Sequence, residues 1–124
     1  MEPHDPAADL VGRDVFAATG QRLGRVDSLF FDVELNLLFA AVATTRRGRR
    51  KLRLVLLEGA AIDDDSVKLR CGPDLARRAP QTRGSGGLSV ELEADLYHHF
   101  DLEYRRRDDG DSRLRPKIAG RHRR

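Results

Sequence analysis

Leu37 to Ala43 reads LLFAAVA, and no other run constrains the fold of this chain so tightly. A spanning helix needs about 20 apolar residues, so this run is far too short to cross a bilayer. As a strand it is apolar on both faces. Leu38, Ala40 and Val42 point one way, and Leu37, Phe39, Ala41 and Ala43 point the other. One face fits the inside of a small β structure. The second needs a cover, because large exposed apolar patches are uncommon on monomers. A helix of the same chain, a second copy, or a different partner would each satisfy that need.

The flanking sequence reads as further strands. Val15-Phe16 is a short one, Thr19-Gly20 a turn, and Leu23 to Val33 a longer strand. Glu34-Leu35-Asn36 is a turn, with Asn its most turn-prone residue. The apolar strand then runs from Leu37 to Thr45, and Arg46-Arg47-Gly48-Arg49 forms a basic hairpin turn. Lys51 to Leu57 alternates: Leu52, Leu54 and Leu56 share one face, with Lys51 and Arg53 on the other. Asp63-Asp64-Asp65 turns the chain into a last short strand around Val67 and Leu69. The expected inner core is Leu23, Val26, Leu29, Val42, Leu54, Val67 and Leu69.

After Leu69 the period changes. Pro73 to Ala79 suits two helical turns, with Pro near the first position, where its missing N–H is harmless. Pro80 stops them, and residues 81–87 read as a linker. Ser89 can cap a helix running to Phe100, with Glu91 in its first turn. Leu88, Leu92, Leu96, His99 and Phe100 fall on one face of that helix. The simplest geometry docks this stripe on the second face of the apolar strand.

Charge divides the chain unevenly. Residues 105–124 hold eight Arg and one Lys against three Asp, a net +6, whereas residues 1–104 hold 14 basic and 17 acidic residues. The tail has few residues to bury, so it is expected to be disordered, either meeting an anionic partner or only aiding solubility. Residues 1–8 are a loose start without the basic and apolar regions of a secretory leader. With Cys71 as the single cysteine, no intrachain disulfide can form, and a cytoplasmic setting is expected.

Gly20 and Gly24 could suggest a phosphate loop, but the segment after them, Val26 to Phe31, reads as strand. A phosphate loop needs backbone N–H groups at a helix start. Gly20 therefore reads as a turn and Gly24 as a bulge or a tight corner.

The stretch DLVGRDVFAATGQRLGRVDSLFFDVELNLLFAAVA, Asp9 to Ala43, resembles the opening of the PRC-barrel family. Leu10, Val11, Gly12 and Val15 match its first strand. Gly20, Leu23, Gly24, Val26 and Asp32 match its glycine hairpin. KLRLVLLEGAAIDDDSVKL resembles the fourth and fifth strands. GPDLARRAP resembles the short segment that follows the barrel in many stand-alone bacterial members, and LSVELEADLYHHFDLEY is similar to the terminal helix and ending of actinobacterial stand-alone members. Phe100 stands where tyrosine is usual and Asp101 where glycine is usual, and a proline frequent near Leu56 is missing. The resemblance implies a mainly β fold: an antiparallel barrel of about six strands over 9–80, a short helical turn, and a C-terminal helix and extension over 88–104. It also implies a binding and assembly module without a shared catalytic site. The family includes the cytoplasmic domain of the photosynthetic reaction-centre H subunit and the C-terminal domain of a ribosome-maturation factor.

Little in the sequence suggests catalysis. His98 and His99 point about 100° apart on a helix, so they cannot easily chelate one ion. Glu91, Asp95 and His99 share an edge but lack the neighbours of a metal site. The three aspartates at 63–65 lack the spacing of a calcium loop. Cys71 has a basic neighbour, Arg70, and no histidine nearby in sequence. The expected protein is non-enzymatic, without cofactor or metal, and most simply self-associating. Its expected apolar interaction face is Leu37, Phe39, Leu92, Leu96 and Phe100. Its basic patch is Arg46, Arg47, Arg49, Arg50, Lys51 and Arg53. That patch either contacts nucleic acid, as in an RNA- or ribosome-associated assembly factor, or guards a solvated hairpin from aggregation.

Overall fold

A computed structural model of the chain describes residues 9–32, 34–82, 88–104 and 114–118. The expectations placed on 1–8 and on Val33 lie outside these residues, as does most of the expected linker. The elements in chain order are β1 (Asp14–Phe16), β2 (Arg22–Asp32), β3 (Leu37–Arg46), β4 (Arg49–Leu56), β5 (Ala61–Ile62), β6 (Ser66–Lys68), α1 (Pro73–Arg77), β7 (Gln81–Thr82), α2 (Val90–His99) and β8 (Leu114–Ile118). The mainly β fold with two helices is as expected. Three details of it differ.

Among the described residues the sheet has eight strands rather than about six. Its hydrogen-bonded path runs β5-β6-β1-β2-β3-β4-β7 without closing, and β8 joins β2 off that path. The pairing is antiparallel except between β1 and β6, where Asp14, Val15 and Phe16 face Ser66, Val67 and Lys68 in parallel. The second difference is Gln81–Thr82, which is not linker. It pairs with Leu52 and Arg53 as an edge strand.

The third difference lies in the tail. Leu114–Ile118 runs antiparallel to β2, from Leu114 opposite Asp32 to Ile118 opposite Leu29. One end of β2 already pairs with β1 through Arg22 to Arg25, so the same edge carries two strands in succession. A segment with few apolar residues can still be ordered when an open strand edge supplies backbone partners and a site for one side chain. Leu114 is fully buried. Residues 105–113 and 119–124 lie outside the described part.

The hairpins follow from local chemistry. Arg47 (φ 55°) and Gly48 (φ 78°) both take positive φ between paired Arg46 and Arg49. A two-residue turn of this type matches the twist of its strands. At the β2–β3 turn the Asp32 carboxylate accepts from Glu34 N (2.9 Å) and Leu35 N (3.2 Å), and Asn36 takes φ 57°. Gly24 is required by close approach: a Cβ there would lie 2.2 Å from the Ala43 carbonyl oxygen. Register shifts near it, at Val15/Phe16 and Val26/Ser28, are the expected bulges.

Two apolar layers lie on the two faces of the sheet. The inner one holds Val15, Val26, Leu29, Ala40, Val42, Val55 and Val67, with Leu69, Ala76 and Ala79 beside them. Leu23 packs on this layer only partly buried, and Leu54 belongs to the other. Leu54 is cross-strand to Ala41, so it must share the face of Ala41 and not that of Val42. The outer layer joins Phe30, Leu37, Phe39, Ala41, Leu52 and Leu54 to Leu88, Leu96, Tyr97 and Leu114. The strand apolar on both faces is therefore covered within one chain, by α2 and β8.

Candidate interaction surfaces

Leu37, Phe39 and Leu96 meet in the outer layer, with Leu92 and Phe100 packed against it. The five residues read as an apolar interaction face are thus brought together, and they face one another. Ser89 caps α2 as expected, its Oγ accepting from Leu92 N at 3.1 Å. At the far end Asp101 N donates to His98 O (3.0 Å) and Leu102 N to Tyr97 O (2.8 Å), with Asp101 at φ 60°. This is a Schellman ending, in which the left-handed position is most often glycine.

Glu93 and Tyr97 are fully buried, and the helical stripe read from the sequence omits both. They form a second line at four-residue spacing, which the charge on Glu93 disguises. Their polar atoms are satisfied by distant residues. Tyr97 Oη donates to Asp32 Oδ2. Tyr104 Oη donates to Glu93 Oε1 at 2.8 Å, and Leu114 N donates to Glu93 Oε2 at 2.7 Å. The Tyr97 ring stacks at 5.5 Å on Phe39 and edge-on at 5.0 Å to Tyr104. Only the acid–tyrosine spacing of Glu93, Tyr97 and Tyr104 hints at this network in the sequence.

The basic residues do not form one patch. Arg47, Arg49, Arg50 and Lys51 are exposed on the β3–β4 hairpin. Arg46 is paired with Arg49 at the base of the turn. Arg50 is ion-paired to Asp27. Arg53 stands apart, half-buried, donating from Nη1 to the Ala79 carbonyl at 2.8 Å. It shares the inner face with Val42, so it ties β4 to the end of α1.

Beside the hairpin lies an open cleft of about 670 Å³ that includes Gly24, Arg22, Arg25, Asp27, Thr45 and Arg50 in its lining. Its arginines are engaged: Arg22 Nη2 lies 3.0 Å and Arg25 Nε 3.3 Å from Asp14 Oδ1. The hydrogen bond from Arg22, followed by its charge and then the bond and charge of Arg25, holds the Asp14 carboxyl below its ordinary range despite an opposing desolvation effect.

The remaining reactive groups have structural surroundings. His99 Nε2 lies 2.7 Å from the Leu75 carbonyl, and as the donor it links α2 to α1. Burial pushes the Cys71 thiol up, so the adjacent Arg70 does not activate it. Among the described residues no three His, Cys, Asp or Glu are grouped to hold a metal ion, and no helix is long and apolar enough to cross a membrane.

An antiparallel sheet opened by a glycine-bulged hairpin defines the class of this protein, and the match of the PRC-barrel domain family model to residues 3–71 names it. The chain belongs to the PRC-barrel domain family. Neither curated proteins nor solved structures include a significant match to it. The family match ends at Cys71, so α1, α2, β7 and β8 lie beyond it.

Proposed function

We propose that this protein is a non-catalytic protein-interaction and assembly module of the cytoplasm that self-associates. Family membership supports the interaction role. The observation that supports self-association is the open path of the sheet, which among the described residues ends at β5. Both residues of β5 are exposed, and Ile62 keeps 50% of its surface accessible, the most of any large apolar side chain among the described residues. An unpaired strand edge with an apolar side chain is a template for a second strand. In this reading two copies meet edge to edge at Ala61–Ile62, and the interface does not use the covered face of β3.

The test is the mass of the protein by light scattering across a concentration series, with the parent and Ile62→Lys compared. A parent dimer that Ile62→Lys converts to monomer, at an unchanged melting temperature, is the expected result. A parent that stays monomeric throughout the series removes the self-association reading.

A further inference from the structure

A pocket of about 320 Å³ opens where β4, α1 and the end of α2 meet the segment after β6. Its apolar walls are Leu56, Leu75, Phe100 and Leu102. None of the four is fully buried, and Leu75 keeps 39% of its surface accessible. Phe100 packs against both the inner and the outer layer, so the pocket lies at the seam between them. His99 fixes two of the walls. Its Nε2 lies 2.7 Å from the Leu75 carbonyl, and its ring meets that of Phe100 edge-on at 5.0 Å. A third wall, Leu102, is set by its amide bond to Tyr97 O at 2.8 Å. Glu58 and Arg70 line the same pocket, both exposed. A Cβ at Gly59 would overlap Arg70 Cδ, so the arginine stem lies across the glycine backbone. Among the described residues neither the Glu58 carboxylate nor the Arg70 guanidinium has a hydrogen bond or an ion pair.

We infer that this pocket binds a free apolar α-amino acid. The apolar walls take its side chain, Arg70 its carboxylate and Glu58 its ammonium group. A guanidinium and a carboxylate left unpaired beside one apolar surface are complementary to a zwitterion, whose two charges sit on one carbon. Each contact would be a charge-assisted hydrogen bond, and the guanidinium fork suits a carboxylate. A fatty acid would bring a negative charge to Glu58 as well as to Arg70, and an apolar amine would bring a positive one to both. The volume is at the small end of the range for small-molecule pockets, about 300–1,000 Å³. Walls already held in place lower the cost of ordering on binding. Cys71, half-buried beside Arg70, adds no charge, since burial keeps its thiol protonated. Leu75, Phe100 and Leu102 lie beyond the family match, so the two helices build the site by packing on the matched part. This inference does not rest on self-association.

Calorimetric titration of the full chain with L-leucine and L-phenylalanine tests it. Isocaproate, which lacks the ammonium group, isoamylamine, which lacks the carboxylate, and N-acetyl-L-leucinamide, which lacks both charges, are the other arms. L-leucine or L-phenylalanine is expected to bind. Each analogue should bind about tenfold more weakly or worse, the loss that goes with one charged hydrogen bond. Arg70→Met keeps a stem over Gly59, and Glu58→Gln keeps the size of the side chain. Both positions are exposed, so both variants should keep the parent's melting temperature. Each should weaken binding of the amino acid by about tenfold. In amide NMR spectra the shifts caused by the amino acid should centre on 56–59, 70–75 and 99–102. No binding of either amino acid at millimolar concentration overturns the inference, as do shifts centred elsewhere. So does a folded Arg70→Met or Glu58→Gln variant that binds like the parent. Isocaproate or isoamylamine binding as tightly as the amino acid overturns it in favour of a singly charged apolar ligand. N-acetyl-L-leucinamide binding as tightly overturns it in favour of an apolar peptide side chain.

Discussion

The two faces of the sheet are closed in different ways. The inner layer is built from β1 to β6 with the short α1, largely within the part of the chain that the family model matches, and the charged side chain on its face, Arg53, is only half-buried. The outer layer is closed late in the chain, by α2 and β8, and places buried Asp32 and Glu93 at its edge. Apolar contact is non-directional, so Val26, Val42 and Val55 need only the right size and face. A carboxylate buried beneath a helix accepts only donors that arrive in register, so Tyr97, Tyr104 and the amide of Leu114 fix where the lid sits. Both layers thus supply stability by burial, and the outer one also fixes a single docking position. Losing one partner there leaves a buried polar group unsatisfied, at about 1–3 kcal/mol.

The largest expected effect comes from removing the lid. Truncation after Pro80 uncovers Leu37, Phe39, Ala41, Leu52 and Leu54 together. Each large side chain returned to water costs about 1.5–3 kcal/mol, which is a large part of the total stability of a domain this size. The truncated protein should melt far lower and bind a hydrophobic dye, as thermal denaturation and dye fluorescence will show. An unchanged melting temperature would mean that the inner layer alone holds the fold. Next in size is Tyr97→Phe, which keeps the ring against Phe39 but removes the donor to Asp32. It should cost about 1–3 kcal/mol. A cost well below that, measured by urea denaturation, would show that apolar packing alone positions α2. The smallest effect is Asp101→Gly. Glycine takes the left-handed position without steric penalty, so the variant should gain up to about 1 kcal/mol and a slightly higher melting point. A loss would indicate that the Asp101 side chain contributes to the helix end.

Much of the fold was legible because short-range chemistry decided it. The two-faced strand at Leu37–Ala43, the Arg47-Gly48 turn and the Ser89 cap each rest on residues a few positions apart. The resemblance to the family over Asp9–Ala43 agrees with the family model. The candidate surfaces were less legible. Arg53 alternates with Lys51 like an exposed residue, but its face turns inward, and Ala79 lies 26 positions away. Glu93 carries a charge that normally marks a solvated face, and its burial depends on Tyr104 and Leu114.

By itself the sequence determined that β3 needs two covers, that one comes from a β layer, and that a capped helix with an apolar stripe comes later in the chain. These are consequences of period and turn chemistry, which act within a few residues. Only the tertiary structure decided that the helix covers its own chain, that β8 continues along the edge of β2 beyond β1, and that Glu93 and Asp32 are buried with donors. Strand pairing and the satisfaction of buried carboxylates join residues far apart in the chain. Their free energy depends on which backbone edge is left open and which donor reaches it, and that is settled only when the whole sheet has formed.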